Sequence, residues 1–284
     1  MKICRFQSAD ATAHIGILST SDEVVDLSPS IKRLTQILDQ ENPVGYLTSL
    51  DTSSFPRHAL ASLHLLPPVD EQEVWAAGVT YFRSKTARME ESDFSATAYD
   101  RVYDAPRPEI FFKSVPEKVV GPQADIGIRK DAKWNVPEPE LALVINAAGK
   151  IVGYSIGNDM SSRDIEGENL LYLPQAKVYD KSCALGPWIV LGTTETDARA
   201  WDIGIRIERN AETVFDGSTS INQIKREFSD LSGYLYRSQT FPTGSILLTG
   251  TGVVPDDSFT LLPGDRVSIV VSGIGELTNT VVEV

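Results

Sequence analysis

The chain has 284 residues, room for one large domain or two modest ones, and its 42% apolar and 23% charged content is that of an ordinary soluble globular protein. Its 26 basic and 39 acidic residues give a net charge of −13 with no basic cluster, which argues against nucleic acid and anionic membrane as partners. Cys4 and Cys183 cannot build a disulfide framework, no apolar stretch approaches the ~20 residues that span a bilayer, and Met1-Lys2-Ile3-Cys4-Arg5-Phe6 lacks a signal-peptide core, so the expectation is a cytoplasmic protein.

The first residues read as a small α+β unit. Strands are expected at Ile3–Phe6, His14–Leu18 and Glu23–Leu27, and a helix from Ser30 with Ile31, Leu34, Ile37 and Leu38 on one face. A second short helix is expected over Pro43–Leu50. The Pro67-Pro68 pair after Leu65-Leu66 marks a boundary, giving an N-terminal unit of residues 1–68 and a larger domain of 69–284. Beyond it come a strand at Glu73–Gly78, a polar helical segment from Phe82 to Tyr103, and strands at Glu109–Lys113, Glu138–Ile145, Ile151–Asp159, Trp188–Leu191 and Ile203–Glu208. A hairpin follows, then a helix carrying Ile221, Ile224, Phe228, Leu231 and Leu235 on one face. Two last strands are expected at Ser245–Thr249 and Arg266–Val271. Many short strands between turns imply an α+β fold whose main domain is a β-rich roll or sandwich.

Chemistry concentrates on Pro137-Glu138-Pro139-Glu140-Leu141-Ala142-Leu143-Val144-Ile145. Side chains alternate across a strand, so Glu138 and Glu140 share a face roughly 7 Å apart along the chain. The two prolines remove backbone donors, which places this stretch at an edge or in an open region. After a Gly149-Lys150 turn and a second strand, Asp159 follows in Asn158-Asp159-Met160-Ser161. Taken alone, Glu-x-Glu on a strand usually means a solvated face. Three acids on two neighbouring strands form an oxygen cage suited to Mg²⁺, Mn²⁺ or Ca²⁺ and not to zinc, and such an ion can grip a 2-oxo acid.

Lys177 lies in Leu173-Pro174-Gln175-Ala176-Lys177-Val178-Tyr179. It reads as a surface lysine or, beside a cation that disfavours its ammonium form, as a general base. Glu109 heads an aromatic strand and reads as a strand-end charge or a second acid. Gly250-Thr251-Gly252 offers backbone N–H groups to an anion such as a substrate carboxylate, or is simply a turn. His14, His58 and His64 all precede residue 69, so the main domain holds no Ser-His or Cys-His nucleophile pair, and no Gly-x-Gly-x-x-Gly opens a helix.

Glu138-Pro139-Glu140, Asn158-Asp159-Met160-Ser161-Ser162-Arg163-Asp164 and Thr249-Gly250-Thr251-Gly252 together resemble the fumarylacetoacetate hydrolase superfamily over roughly residues 67–284. Within it the chain is similar to the 2-keto-3-deoxy-arabinonate (2-dehydro-3-deoxy-pentonate) dehydratases, through residues 102–113 and 168–179. The resemblance implies a β-rich catalytic roll assembled as dimers or tetramers and a Mg²⁺ site, with Mn²⁺ as an alternative, held by Glu138, Glu140 and Asp159. It implies Lys177 as catalytic base, Glu109 as a second acid–base residue, and Thr80, Lys113 and Thr251 as substrate contacts. Carbon–carbon hydrolases of the superfamily resemble N-Y-x-x-H-x-x-E near this point, whereas Ser84 stands here at the histidine position, which turns the reading from hydrolase to lyase. The implied reaction removes a C3 proton through Lys177 by way of a cation-stabilised enolate and protonates the departing C4 hydroxyl through Glu109; loss of water and tautomerisation at C5 then give 2,5-dioxopentanoate. The alternatives are an acylpyruvate or oxaloacetate hydrolase, decarboxylase or tautomerase of the same superfamily, and a non-catalytic β protein whose acids staple strands around a metal.

Overall fold

The computed structural model describes residues 1–8, 11–81 and 101–284. The strands in chain order are β1 (Lys2–Gln7), β2 (Ala13–Leu18), β3 (Glu23–Asp26), β4 (Arg57–Ala59), β5 (His64–Leu66), β6 (Glu73–Gly78), β7 (Glu109–Ser114), β8 (Asp125–Ile128) and β9 (Asn135–Val136). They continue with β10 (Pro139–Ile145), β11 (Ile151–Asp159), β12 (Ser161–Ser162), β13 (Cys183–Leu191), β14 (Asp202–Arg209), β15 (Glu212–Ser220), β16 (Ser245–Leu248), β17 (Arg266–Val271) and β18 (Gly275–Glu283). The helices are α1 (Thr35–Leu38), α2 (Pro43–Ser49), α3 (Arg163–Glu168), α4 (Leu173–Lys177), α5 (Glu195–Arg199) and α6 (Phe228–Tyr236).

One large sheet runs in the order β4-β3-β2-β1-β13-β11-β10-β16-β6-β7, with β5 also paired to β1, and a second runs β15-β14-β17-β18-β8. The first strands therefore continue the same sheet as the later ones: β1 pairs antiparallel with β13. Its central strands read as continuous apolar runs because both faces are covered. Leu141, Leu143 and Ile145 of β10 pack with Ile203, Ile205 and Ile207 of β14 and Val267, Ile269 and Val271 of β17. Ala142 and Val144, on the opposite face, pack with Ile31, Leu34, Ile37, Leu38 and Leu47. The second sheet thus covers one side of the large sheet and the N-terminal helices the other.

Three local expectations differ. The helix expected from Ser30 is a turn, with Ile31 N–H donating to the Leu27 carbonyl, followed only by the short α1; all four apolar residues are still buried. The helix expected to carry Ile221 to Leu235 is broken. A 3₁₀ turn (Ile221–Gln223) and extended backbone at Ile224 and Glu227 precede α6, because Ile224 pairs with Tyr81 instead of continuing the helix. Finally, β10 is no edge strand: β11 and β16 flank it. Pro137 and Pro139 sit where β16 has already turned away at Gly250, so their missing donors leave no ladder bond unmade. Strands β8 and β18 were not expected; polar Thr278 and Asn279 interrupt the alternation of β18, and β8 becomes a strand by pairing parallel to it. The expected Phe82–Tyr103 helix falls mainly on residues 82–100, outside the described residues.

Candidate active site

A tight hairpin brings the acids together. Asn146 Oδ1 accepts from the N–H groups of Ala148 and Lys150, and Gly149 takes the left-handed φ of +77° that closes the turn. The resulting register sets Pro139 against Asn158 and Glu140 against Gly157, and Asp159 N–H donates to the Glu138 carbonyl at 3.0 Å. Glu138, Glu140 and Asp159 therefore project from one face of two adjacent strands, with one carboxylate oxygen from each within 4.8 Å of the others. All three are at most 2% exposed.

Cations and one backbone amide surround them. Lys177 ends α4, whose Pro174 suits a first helical turn. Its Nζ donates to Glu138 Oε2 at 2.8 Å, Asp159 Oδ2 at 3.3 Å and Ser161 Oγ at 2.5 Å. Arg163 Nη2 reaches Glu138 Oε1 at 2.7 Å, and Lys113 Nζ reaches Asp159 Oδ1 at 2.5 Å. Glu140 has no cation at ion-pairing distance among the described residues; its partner is the Gly250 N–H at 2.6 Å. Burial, then repulsion from Asp159 and Glu138, pushes the Glu140 carboxyl well above the ordinary carboxylate range, against the pull of Lys177 and the Gly250 amide. Hard oxygen donors crowded in a buried place, one lacking a positive partner, are what a divalent ion of the Mg²⁺ class fits.

Above the triad lies a narrow cleft lined by Ala77, Gly78, Val79, Glu109, Phe111, Glu166, Leu173, Lys177, Gly250 and Thr251 as well as the acids. Glu109 crosses it from β7, opposite Gly78 of β6. A Cβ on Gly78 would lie 2.1 Å from Glu109 Oε2, so glycine here lets the carboxylate lie against the backbone. Val79, next along, has φ +53°, a strained value for a β-branched residue, and lines the same cleft. A wider chamber opens outward between Val102, Arg107, Pro108, Glu109, Glu166, Leu170 and Leu173.

The structure brings Glu138, Glu140, Asp159, Lys177, Glu109 and Thr251 onto the cleft, while Thr80 and Lys113 stand behind its walls. Thr80 Oγ1 donates to the Thr249 carbonyl at 2.5 Å and sits under Gly250, where a Cβ would come within 2.2 Å of it. Lys113, fully buried, donates to the carbonyls of Met160 and Lys177 as well as pairing with Asp159. The Gly250 amide of the glycine turn meets an anion of the protein itself, Glu140. Ser161, Arg163 and Glu166 were not singled out from sequence. The first two belong to the Asn158–Asp164 motif, which was the available signal; Glu166, one helical turn beyond Arg163, carries none of its own.

The fumarylacetoacetate hydrolase C-terminal family matches residues 74–282. A protein of Haloferax volcanii named "probable 2-keto-3-deoxyxylonate dehydratase" is 47% identical over 226 residues, covering 80% of this chain and 78% of the relative. The 2-dehydro-3-deoxy-D-arabinonate dehydratase of Saccharolobus solfataricus is 37% identical over 287 residues, covering 99% of this chain and 96% of the relative. A solved structure of 2-keto-3-deoxy-D-arabinonate dehydratase complexed with magnesium and 2,5-dioxopentanoate superposes with a TM-score of 0.85 at 33% identity, covering 100% of this chain and 99% of the other. With its carboxylate triad and with the family match spanning most of its length, the chain belongs to the fumarylacetoacetate hydrolase family.

Proposed function

We propose that this protein is a Mg²⁺-dependent hydro-lyase that removes water from a 2-keto-3-deoxy-pentonate to give 2,5-dioxopentanoate. The observation that carries the reading is the cleft itself: a buried carboxylate triad with an amine, Lys177, on one side and a second carboxylate, Glu109, on the other. The similar dehydratases and their magnesium–product complex support it.

Glu138, Glu140 and Asp159 would hold the ion, which when bound supplies Lewis-acid polarisation of a 2-oxo acid. Lys177 Nζ, held by Ser161 and the two acids and neutral when it acts, would take a C3 proton. Glu109, against Gly78 at the junction with the outer chamber, is placed to deliver a proton to the departing C4 hydroxyl. Thr251 lines the substrate's path. Lys113 serves by holding the carbonyl of Lys177 to Asp159, and Thr80 by holding the Gly250 turn under Glu140. Phe111, whose ring centroid is 5.7 Å from Lys177 Nζ, helps wall the amine from water. A cytoplasmic homo-oligomer goes with the same reading.

The test is product identity. Incubation with Mg²⁺ and each enantiomer of 2-keto-3-deoxy-pentonate should release 2,5-dioxopentanoate from at least one of them. Formation of a cleaved acid or CO₂ from acylpyruvate or oxaloacetate, without dehydration, would replace the reading with its hydrolase or decarboxylase rival.

A further inference from the structure

Residues 224–226 break what the sequence reads as one helix, and what they do with the freed backbone is specific. Ile224 forms a bridge with Tyr81, and Lys225 N–H donates to the Thr80 carbonyl at 3.0 Å, so this strap grips the chain just past β6. The Arg226 guanidinium grips the chain just before β7. It donates to the carbonyls of Val102 at 3.0 Å, Ala105 at 2.8 Å and Pro106 at 3.2 Å. Lys225 Nζ adds the Tyr103 carbonyl at 3.0 Å and Asp104 Oδ1 at 2.8 Å. The strap is itself anchored: Arg199 of α5 donates to the carbonyls of Ile224 at 2.9 Å and Arg226 at 2.6 Å.

These two grips fall on the two walls of the cleft. Thr80 carries the Gly250 turn, whose amide holds Glu140; residues 102–108 lead directly into Glu109, and Val102, Arg107 and Pro108 line the outer chamber. Neither Lys225 nor Arg226 lines either space. The guanidinium meets the three carbonyls of this turn from two nitrogens held in one fixed plane, Nη1 on Pro106 and Nη2 on Val102 and Ala105. We infer that Arg226 is a positioning residue, setting the Glu109 wall relative to the metal triad through the turn at residues 102–106. The inference rests on the proposed dehydratase reading for its kinetic consequence, and on geometry alone for its structural one.

Arg226→Gln and Arg226→Lys test it, each compared with wild type by pentonate kinetics, Mg²⁺ titration and amide hydrogen exchange. Arg226→Gln should raise KM for the pentonate about tenfold, the scale of one or two lost hydrogen bonds, and lower kcat as Glu109 drifts. Arg226→Lys should fall between, because a lysine keeps the charge and offers one donor nitrogen on a shorter side chain where arginine uses two. Mg²⁺ affinity should stay within about twofold of wild type, since the triad lies on other strands. Exchange should quicken over residues 102–109 and not in β10 or β11. Exchange needs no turnover, so an inactive wild type would remove the dehydratase reading while the strap is still judged. Unchanged exchange over 102–109, or quickened exchange with unchanged KM and kcat, overturns the inference. Loss of protection throughout the chain with parallel loss of Mg²⁺ affinity also overturns it, as the mark of a general staple. If Arg226→Gln does not fold, the same readings on Arg226→Lys decide.

Discussion

Replacing Lys177 by Met keeps an unbranched side chain of similar length and removes only the ammonium. In the fold that ammonium is 2% exposed and meets Glu138, Asp159 and Ser161 at 2.8, 3.3 and 2.5 Å. Removing one partner of a buried ion pair costs about 3–5 kcal/mol, because the charge left behind stays buried. Arg163 still reaches Glu138 and Lys113 still reaches Asp159, so the low end applies, about 3 kcal/mol for metal-free protein. For chains of a few hundred residues about 2–4 °C is lost per kcal/mol, which puts the metal-free Tm roughly 6–12 °C below wild type. A divalent ion on the same carboxylates compensates them, so saturating Mg²⁺ should narrow that gap. Turnover should fall about 10²–10⁴-fold, the range of a lost general base. Scanning calorimetry with and without Mg²⁺, beside steady-state kinetics, reads both effects. A kcat within about threefold of wild type, less than 1 kcal/mol on the barrier, would refute the role given to Lys177.

Other expectations are as direct. Glu109→Gln keeps shape and removes the titratable proton; kcat should drop about 10²–10⁴-fold with Mg²⁺ binding intact, and near-normal turnover would remove Glu109 from proton transfer. Gly78→Ala drives a Cβ into Glu109 Oε2, at 2.1 Å in the present geometry, so kcat should fall although the new methyl lies outside the triad. Full activity in that variant would show that the Glu109 carboxylate need not rest there. Asp26 reports on acid stability. Burial raises its pKa, but the Ser28 amide, His14 and the Ser28 hydroxyl outweigh burial and hold it below the ordinary value. A depressed folded pKa contributes stability that is present above the unfolded value and lost as pH falls through the folded one. Urea midpoints of wild type and Asp26→Asn should therefore converge between neutral pH and the acid range, and a pH-independent gap would contradict this.

The heart of the site was legible because it is written in local periodicities. Two-residue alternation aims Glu138 and Glu140 one way, and the Gly149 turn returns Asp159 to the same face. What escaped was set by tertiary partners. Lys113 was expected, by resemblance, to touch substrate, whereas the fold commits its ammonium to two backbone carbonyls and Asp159. The spacing of Ile221, Ile224 and Phe228 satisfies a helix, and only the neighbouring Tyr81 backbone shows why Ile224 leaves it. The prolines flanking Glu138 pointed to an edge or an open region, and the opening is local: the strand is interior and its neighbour β16 simply ends first. The six expected site residues that reach the cleft come from β7, β10 and the residue before it, β11, α4 and the turn after β16, so only the tertiary fold could assemble them.

The most direct test of the central claim is calorimetric titration of Mg²⁺ into metal-free protein, wild type against Glu140→Gln. The triad should take up about one ion per chain, the number its three converging carboxylates can hold, and Glu140→Gln should weaken that binding and the turnover that depends on it together. Equal affinity in the two proteins, or dehydration that persists in excess chelator, would contradict the claim that these three carboxylates hold the ion on which the reaction depends.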